Sequence, residues 1–356
     1  LSVFAKLLSK LGMVSFQPGA LLSSLLAIAI TSSEAGAVVH IDFAWVGNPG
    51  NAADTAVMEI DGTTGYGAVA TSFAISRTET TLEQYTAFLN AVAATDTYGL
   101  YHPNMGLPAL GGITRSGSPG GYQYLVTPGS ETKPVSFVSW FDAARFCNWL
   151  HNGQAAGAQN ATTTEDGAYS LNGATSGTAI GRNTGATVWL PSENEWYKAA
   201  YHDPDKNGGG GGYWSMPNRS DSVPGNTIGD PGALNFHDGD YTSWPTAAMT
   251  DAGQYGNLSA SAYGIHDMGG NVFEWNEGII GNSRGLRGGS WDFPEHYLAA
   301  ISRDEFDPSG ETHNIGFRVA GSPAMINPVP EPTTGILAVI SVATLMAHRR
   351  RRLRES

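Results

Sequence analysis

The chain has 356 residues, 46 of them glycine and 19 proline, with 10% aromatic and only 14% charged side chains, which excludes both a low-complexity coil and a charge-laced helical rod. Cys147 is its one cysteine, so an intramolecular disulfide framework, a Cys-rich zinc site and any mechanism needing two thiols in one chain are excluded as well. High glycine content with many large rings points to short, irregular elements pinned by aromatic side chains.

The first residues carry Lys6 and Lys10, then the apolar run from Ala20 to Ile30, then small residues at Ala35 and Ala37. This is the layout of a secretory signal over 1–37, cleaved before Val38. A buried N-terminal helix is the alternative, but the run ends without a cap and passes into the strand-like segment Val38 to Trp45. The body, 38–328, shows no repeat. Three helices are expected in it. Thr80 with Glu83, or Thr81 with Gln84, forms a capping box ahead of Leu82, Tyr85, Phe88, Leu89 and Val92 at helical spacing. Ser139 opens a second helix running to about His151, with Ala144, Cys147, Trp149 and Leu150. Ser192 and Glu195 cap a third, with Trp196, Ala199 and Ala200 inward. Residues 111–132 and 152–187 are rich in turn formers and read as surface loops. The five glycines from Gly208 to Gly212 read as a loop, because a phosphate cradle needs a following Lys-Ser/Thr and Tyr213-Trp214 follows instead.

At the other end, Val329-Pro-Glu-Pro332 precedes fifteen apolar or small residues, Thr333 to Ala347, and an arginine-rich tail to Arg354. Fifteen helical residues reach about 22 Å, short of a ~30 Å hydrocarbon core, so this is a weak anchor with a strong orientation signal. The ordered set over 329–356 resembles a PEP-CTERM sorting signal, which implies processing by an exosortase; a plain tail anchor is the alternative. Between the two ends, 12 Lys and Arg stand against 29 Asp and Glu, a net charge of −17. That balance repels nucleic acid and anionic headgroups and suits cation binding, or simply solubility at a cell surface.

Four blocks follow in order within the body: Phe73-Ala-Ile-Ser-Arg-Thr-Glu79; Pro134-Val-Ser-Phe-Val-Ser-Trp140 with Phe146-Cys-Asn-Trp-Leu150; Trp189-Leu-Pro-Ser-Glu-Asn-Glu-Trp196; and Tyr263 to Trp275 with Leu286-Arg-Gly-Gly-Ser-Trp291 and Gly316-Phe-Arg318. Together they resemble the formylglycine-generating enzyme, or sulfatase-modifying factor, family across most of 70–321. The resemblance implies an α+β, loop-rich fold related to C-type lectins with little regular secondary structure. It also implies calcium at Asp267, the carbonyls of Gly270 and Val272, and Glu274, with a second site at Asn235, Phe236 and Asp251 and, less firmly, Gly253. Carboxylates mixed with carbonyls are hard-cation chemistry, and the paired glycines can aim carbonyls inward; loop capping by Asp267 and Glu274 is the plainer alternative. Arg287 and Arg318 are expected on adjacent core strands, paired with buried carboxylates such as Glu195 or Glu274. Trp140, Trp149, Trp189, Trp196 and Trp275 are expected in the core, and Trp214, Trp244 or Trp291 are the candidates for stacking on a sugar.

The family's oxidase uses two cysteines after the Gly-Gly-Ser block to bind copper. Here Trp291 to Glu305 contains none, and Cys147 sits in a helix where a small apolar filler is expected. Copper and the formylglycine reaction are therefore not expected. Asp292, Glu295 and His296, with Asp304 and Glu305, are the candidates for a non-thiol acid/base or weak metal site, against a reading as solvated loop charges. No nucleophile elbow, zinc-protease motif or dinucleotide fingerprint appears. The leading reading is an exported, surface-associated domain, calcium-stabilised, that binds an extracellular peptide or glycan. An enzyme of the same fold with a non-thiol site and a structural envelope component are the alternatives.

Overall fold

A computed structural model describes residues 38–107, 111–238 and 248–326. The signal and sorting segments, and Trp244, lie outside the described residues. Among the described residues between Phe43 and Gly321, short strands, three helices of more than two turns and a distorted helical turn at Lys206–Gly209 alternate with long connections. The strands are β1 (Phe43–Val46), β2 (Phe73–Ser76), β3 (Ile113–Ser116), β4 (Gln123–Val126), β5 (Val188–Trp189), β6 (His202–Asp203), β7 (Gly212–Tyr213), β8 (Phe273–Ile280), β9 (Ser283–Arg287), β10 (Asp304–Phe306), β11 (Ile315–Gly316) and β12 (Ala320–Gly321). The helices are α1 (Leu82–Val92), α2 (Trp140–His151) and α3 (Glu193–Tyr201).

All three helices begin where their capping boxes put them. Thr81 with Gln84, Ser139 with Asp142 and Ser192 with Glu195 each exchange the reciprocal pair of bonds that satisfies orphan N–H groups at a helix start. Each buries the face its spacing marks: Tyr85 and Phe88 from α1 meet Phe146 and Trp149 from α2 and Phe317 in one aromatic cluster, with Leu89 buried as well. Trp140, Trp149, Trp189, Trp196 and Trp275 are all buried, as is Cys147.

Two four-stranded sheets frame this core, ordered β1-β2-β12-β5 and β10-β9-β8-β11. In the second, β8 pairs antiparallel with β9 and parallel with β11, so the Arg287 and Gly316 blocks flank β8 on opposite sides and are not adjacent to each other. The reason is the hairpin. Gly281, at φ +59°, turns β8 straight back into β9 and uses that edge, leaving only the far edge for β11.

Two segments read as surface loops are built differently. Within 111–132, Ile113–Ser116 and Gln123–Val126 form a hairpin whose Ile113 and Tyr124 are buried on one face while Thr114 and Leu125 stand exposed on the other. Within 152–187, Ala168, Tyr169 and Leu171 are buried, and Glu165 forms a bidentate pair with Arg145 of α2 at 2.7 and 3.0 Å. The glycine run joins β6 to β7, with Gly212 in β7 itself.

Candidate functional site

The 263–275 block folds as its glycines require. A side chain on Gly269 would lie 2.6 Å from Pro217, and one on Gly270, at φ +79°, would lie 1.9 Å from the Asn235 carbonyl oxygen. That close approach lets Asn235 bridge to Gly270 and lets the Asn271 N–H donate to the Asn235 carbonyl at 2.9 Å. Asp267 and Asn271 also adopt left-handed backbone, at φ +52° and +61°, so the chain turns sharply at both ends of the block.

Beneath this block lies a group of buried charges. Arg318 donates to both oxygens of Glu274 at 2.6 Å and to the carbonyls of Ser76, His266 and Asp267, while Trp196 Nε1 donates to Glu274 Oε2 at 2.7 Å. Glu79 is 1% exposed, and among the described residues no N–H or O–H donor bonds to either of its carboxylate oxygens. Burial, reinforced by the neighbouring Asp267 charge, pushes its carboxyl well up. Burial also raises Asp267, against the opposing Gly253 N–H and Arg318. The Gly253 N–H donates to Asp267 Oδ2, which ties the 251–253 turn to this cluster.

On the surface nearby opens a cavity of about 670 Å3, within the size range of small-ligand sites. Asn235, Phe236 and Asp251 line it together with Lys133, His237 and Tyr255. The wall combines hydrogen-bonding side chains, one ammonium and aromatic rings. The Asn235 amide is oriented by Asn271 Oδ1, to which it donates at 3.1 Å, and by the Ala248 carbonyl at 3.0 Å.

The 291–305 segment is arranged differently from its reading in sequence. Asp292 is buried and accepts from Ser290 Oγ at 2.6 Å, from His313 Nε2 at 2.9 Å and from Asn314. Burial alone would raise this carboxyl; the bonds from His313, Ser290 and Asn314 outweigh burial and hold it below the ordinary range. Its companion is therefore His313, not the sequence neighbours. Glu295 opens the short 3-10 turn Glu295–Leu298, and the exposed His296 packs on Tyr297, with ring centroids 4.2 Å apart. Asp304 and Glu305 lie in β10. Sequence reasoning missed His313 because it stands 21 positions from Asp292; its proximity to the Gly316-Phe-Arg318 block was the available signal.

Beside this dyad, Phe137 is held at φ +58°, which is strained backbone for a bulky residue. Its ring stacks on His102 at 5.3 Å and faces His313 at 6.4 Å. Glu311 approaches His102 at 3.8 Å and hydrogen-bonds the buried Asp142, and burial followed by the Asp142 charge pushes its carboxyl up to about 9. Trp291 is only 2% exposed, packed with Met249 and Val272, so it presents no stacking face; Trp214 is partly buried beneath Lys206, whose ammonium lies 3.7 Å from its ring centre.

The family model described as sulfatase-modifying factor enzyme 1-like domain matches residues 50–323. The chain belongs to that family. No curated protein matches the sequence. Among solved structures, CarF is 23% identical, covering 80% of this chain and 98% of CarF with a TM-score of 0.47. Treponema denticola variable protein 1 is 19% identical over 81% of this chain and 97% of its own, TM-score 0.48. PvdO from Pseudomonas aeruginosa is 17% identical over 82% and 100%, TM-score 0.43.

Within this sulfatase-modifying-factor domain, Cys147 is fully buried, and burial, with the Glu277 charge adding to it, pushes its thiol well up. Arg287 pairs with Glu193 at 2.8 Å, Glu195 with Arg182, and Glu274 with Arg318. The donor sets for calcium fit unequally. Glu274 fits poorly, since both oxygens already face a guanidinium whose charge repels a cation. Asp267 remains suited, and Asn235, Phe236 and Asp251 share one cavity wall. Among the described residues no group of three or more His, Cys, Asp or Glu side chains could hold a metal ion, so a hard cation here would rest on at most two carboxylates with carbonyl oxygens.

Proposed function

We propose that the chain is an exported, surface-associated sulfatase-modifying-factor domain that binds an extracellular peptide or glycan and does not carry out formylglycine chemistry. The observation that carries this reading is the cavity of about 670 Å3 beside a scaffold whose reactive segment has no thiol. Its wall suits a neutral, hydroxyl-rich or amide-rich ligand: Asn235 offers an oriented amide, Asp251 a carboxylate, Tyr255 and Phe236 offer apolar faces, and Lys133 offers one cation. Calcium, bound through Asp267 with the carbonyls of Gly270 and Val272 and at the cavity by Asn235, Phe236 and Asp251, would stiffen both sides of this wall. The signal and PEP-CTERM-like segments support export and handling by an exosortase. Arrays of extracellular glycans and peptides, probed with wild type and with Asp251→Ala and Tyr255→Ala, test the reading. Binding abolished by both substitutions is expected; binding unaffected by either would move the ligand elsewhere.

A second reading, an enzyme using non-thiol groups, is favoured by one arrangement. Asp292 orients His313, as a base needs, while Glu311, pushed up to about 9, holds a proton near neutral pH on the other side of Phe137. His313→Ala and Glu311→Gln would each abolish a turnover detected on any ligand found by the arrays; turnover unchanged in both would remove this reading.

A further inference from the structure

The glycine run between β6 and β7 borders a cavity of about 390 Å3, together with His202 and the 48–55 segment. A second cavity of about 300 Å3 adjoins it, since Asp54 and Tyr213 line both. Both volumes fall in the range of small-ligand sites, and neither cavity shares a lining residue with the one of about 670 Å3. The wall common to the two is held in place. Asn51 Nδ2 donates to Tyr213 Oη at 2.7 Å, and Tyr213 Oη donates to the Ala52 carbonyl at 2.8 Å, so the 48–55 segment is tied to β7. Asp54 accepts from Tyr197 Oη at 2.7 Å and from the Ala56 N–H at 3.1 Å, one bond on each oxygen, which leaves acceptor capacity on both.

The two cavities differ in chemistry. Asn48 brings an amide to the first, Thr55 a hydroxyl and His202 an imidazole. His202 Nδ1 lies 2.7 Å from Tyr263 Oη, and a side chain on Gly211 would come 3.7 Å from Nε2, so the bare glycine leaves Nε2 uncovered. Burial, with the Lys198 ammonium adding to it, lowers this imidazole to about 4, and it is neutral at physiological pH. The second cavity is lined by Trp214, Met216, Ala299 and Ile301. Lys206 covers one face of the Trp214 ring, and Trp214 Nε1 donates to Asp203 at 3.0 Å, which fixes the indole where it borders that cavity. Asp54 is the one ionised side chain lining either cavity, so phosphate, sulfate and carboxylate ligands are repelled. Amide, hydroxyl, imidazole and carboxylate together match a row of hydroxyls that each donate and accept, and the indole with its aliphatic neighbours matches the C–H face of a ring. We propose that the two cavities form one groove for a neutral oligosaccharide, with one sugar unit hydrogen-bonded beside the glycine run and the next packed against Trp214. The groove stands apart from the cavity at Asp251 and Tyr255 and uses no metal. Glycines suit this position because any side chain at 211 would cover the imidazole.

The test is calorimetric titration of the intact purified protein, in chelator, with cellobiose, lactose, mannobiose and diacetylchitobiose, with their monosaccharides, and with glucuronate as the anionic control. Titration in solution detects a weak monovalent site that washing removes from an array. At least one disaccharide should bind, its monosaccharides at least about tenfold more weakly, and glucuronate not at all. Gly211→Asn places a side chain over His202 Nε2 and keeps the fold, because asparagine tolerates the left-handed backbone that Gly211 adopts at φ +74°. It should abolish binding, and Trp214→Leu should weaken it by at least about tenfold, with Tm followed for both variants. Tyr255→Ala should bind as wild type. Undiminished binding in either Gly211→Asn or Trp214→Leu overturns the groove, as does binding of none of the four disaccharides. Binding lost in Tyr255→Ala instead places the saccharide in the larger cavity, which overturns this assignment while leaving the reading of that cavity intact.

Discussion

The Arg145–Glu165 pair decides whether 152–187 is a dispensable surface loop or part of the core. Arg145, in the middle of α2, has no exposed surface; Nε and Nη2 donate to the two Glu165 oxygens at 2.7 and 3.0 Å, Nη2 also donates to the Ala174 carbonyl, and the guanidinium lies 4.2 Å from the Tyr98 ring centre. Glu165 further accepts from the Gly173 N–H at 2.8 Å and from Thr164 Oγ1 at 3.0 Å, so it organises its own turn as well. Glu165→Ala strands a buried guanidinium, which costs about 3–5 kcal/mol, equivalent to roughly 5–8 °C in Tm for a domain of this size. Replacing both members by methionine removes the stranded charge. The double variant should therefore lose less than the sum of the single variants, with a coupling of about 2–3 kcal/mol. Urea denaturation of the four proteins, followed by tryptophan fluorescence, measures this directly. A loss under about 1 kcal/mol in Glu165→Ala, or strict additivity in the cycle, would show that the segment is not integral and that the pair is screened as a surface bridge would be.

Two other outcomes follow from the buried groups. The Glu311 carboxyl sits at about 9 in the folded chain, above the ~4.3 of an unfolded glutamate. The contribution of its protonated form is complete below about pH 4 and is lost as pH rises toward 9. Glu311→Gln should therefore match wild type near pH 4 and exceed it in stability at pH 8; equal curves at both would contradict the proton shared with Asp142. Cys147, buried and with its thiol pushed up, should resist aqueous thiol reagents in the native protein and react fully only in denaturant; rapid native labelling would show that α2 opens.

Much of the scaffold was legible because its signals are local. Capping boxes at Thr81, Ser139 and Ser192 and the apolar spacing behind them mark all three helices, and the buried tryptophans lie where their blocks place them. What escaped sequence reasoning depends on long-range pairing. The β3–β4 hairpin hides behind a glycine-rich turn, and Glu165 looks like a loop charge until Arg145, 20 positions earlier, is seen to need it. The same holds at the candidate site. Asp292 was visible, but its partner His313 arrives on the far edge of β8, and Glu79 gains meaning only when folding sets it against Asp267. Glu295 and His296 are neighbours in sequence, but in the fold His296 packs on Tyr297.

The central proposal is that this sulfatase-modifying-factor domain carries out no thiol oxidation. Its sharpest test is to incubate the purified chain with cuprous ion, oxygen and a cysteine-bearing sulfatase peptide and to follow the peptide by mass spectrometry and aldehyde trapping. We expect the cysteine to remain unmodified, with Cys147→Ala behaving as wild type. Catalytic turnover of that cysteine to an aldehyde, lost on Cys147→Ala, would contradict the account.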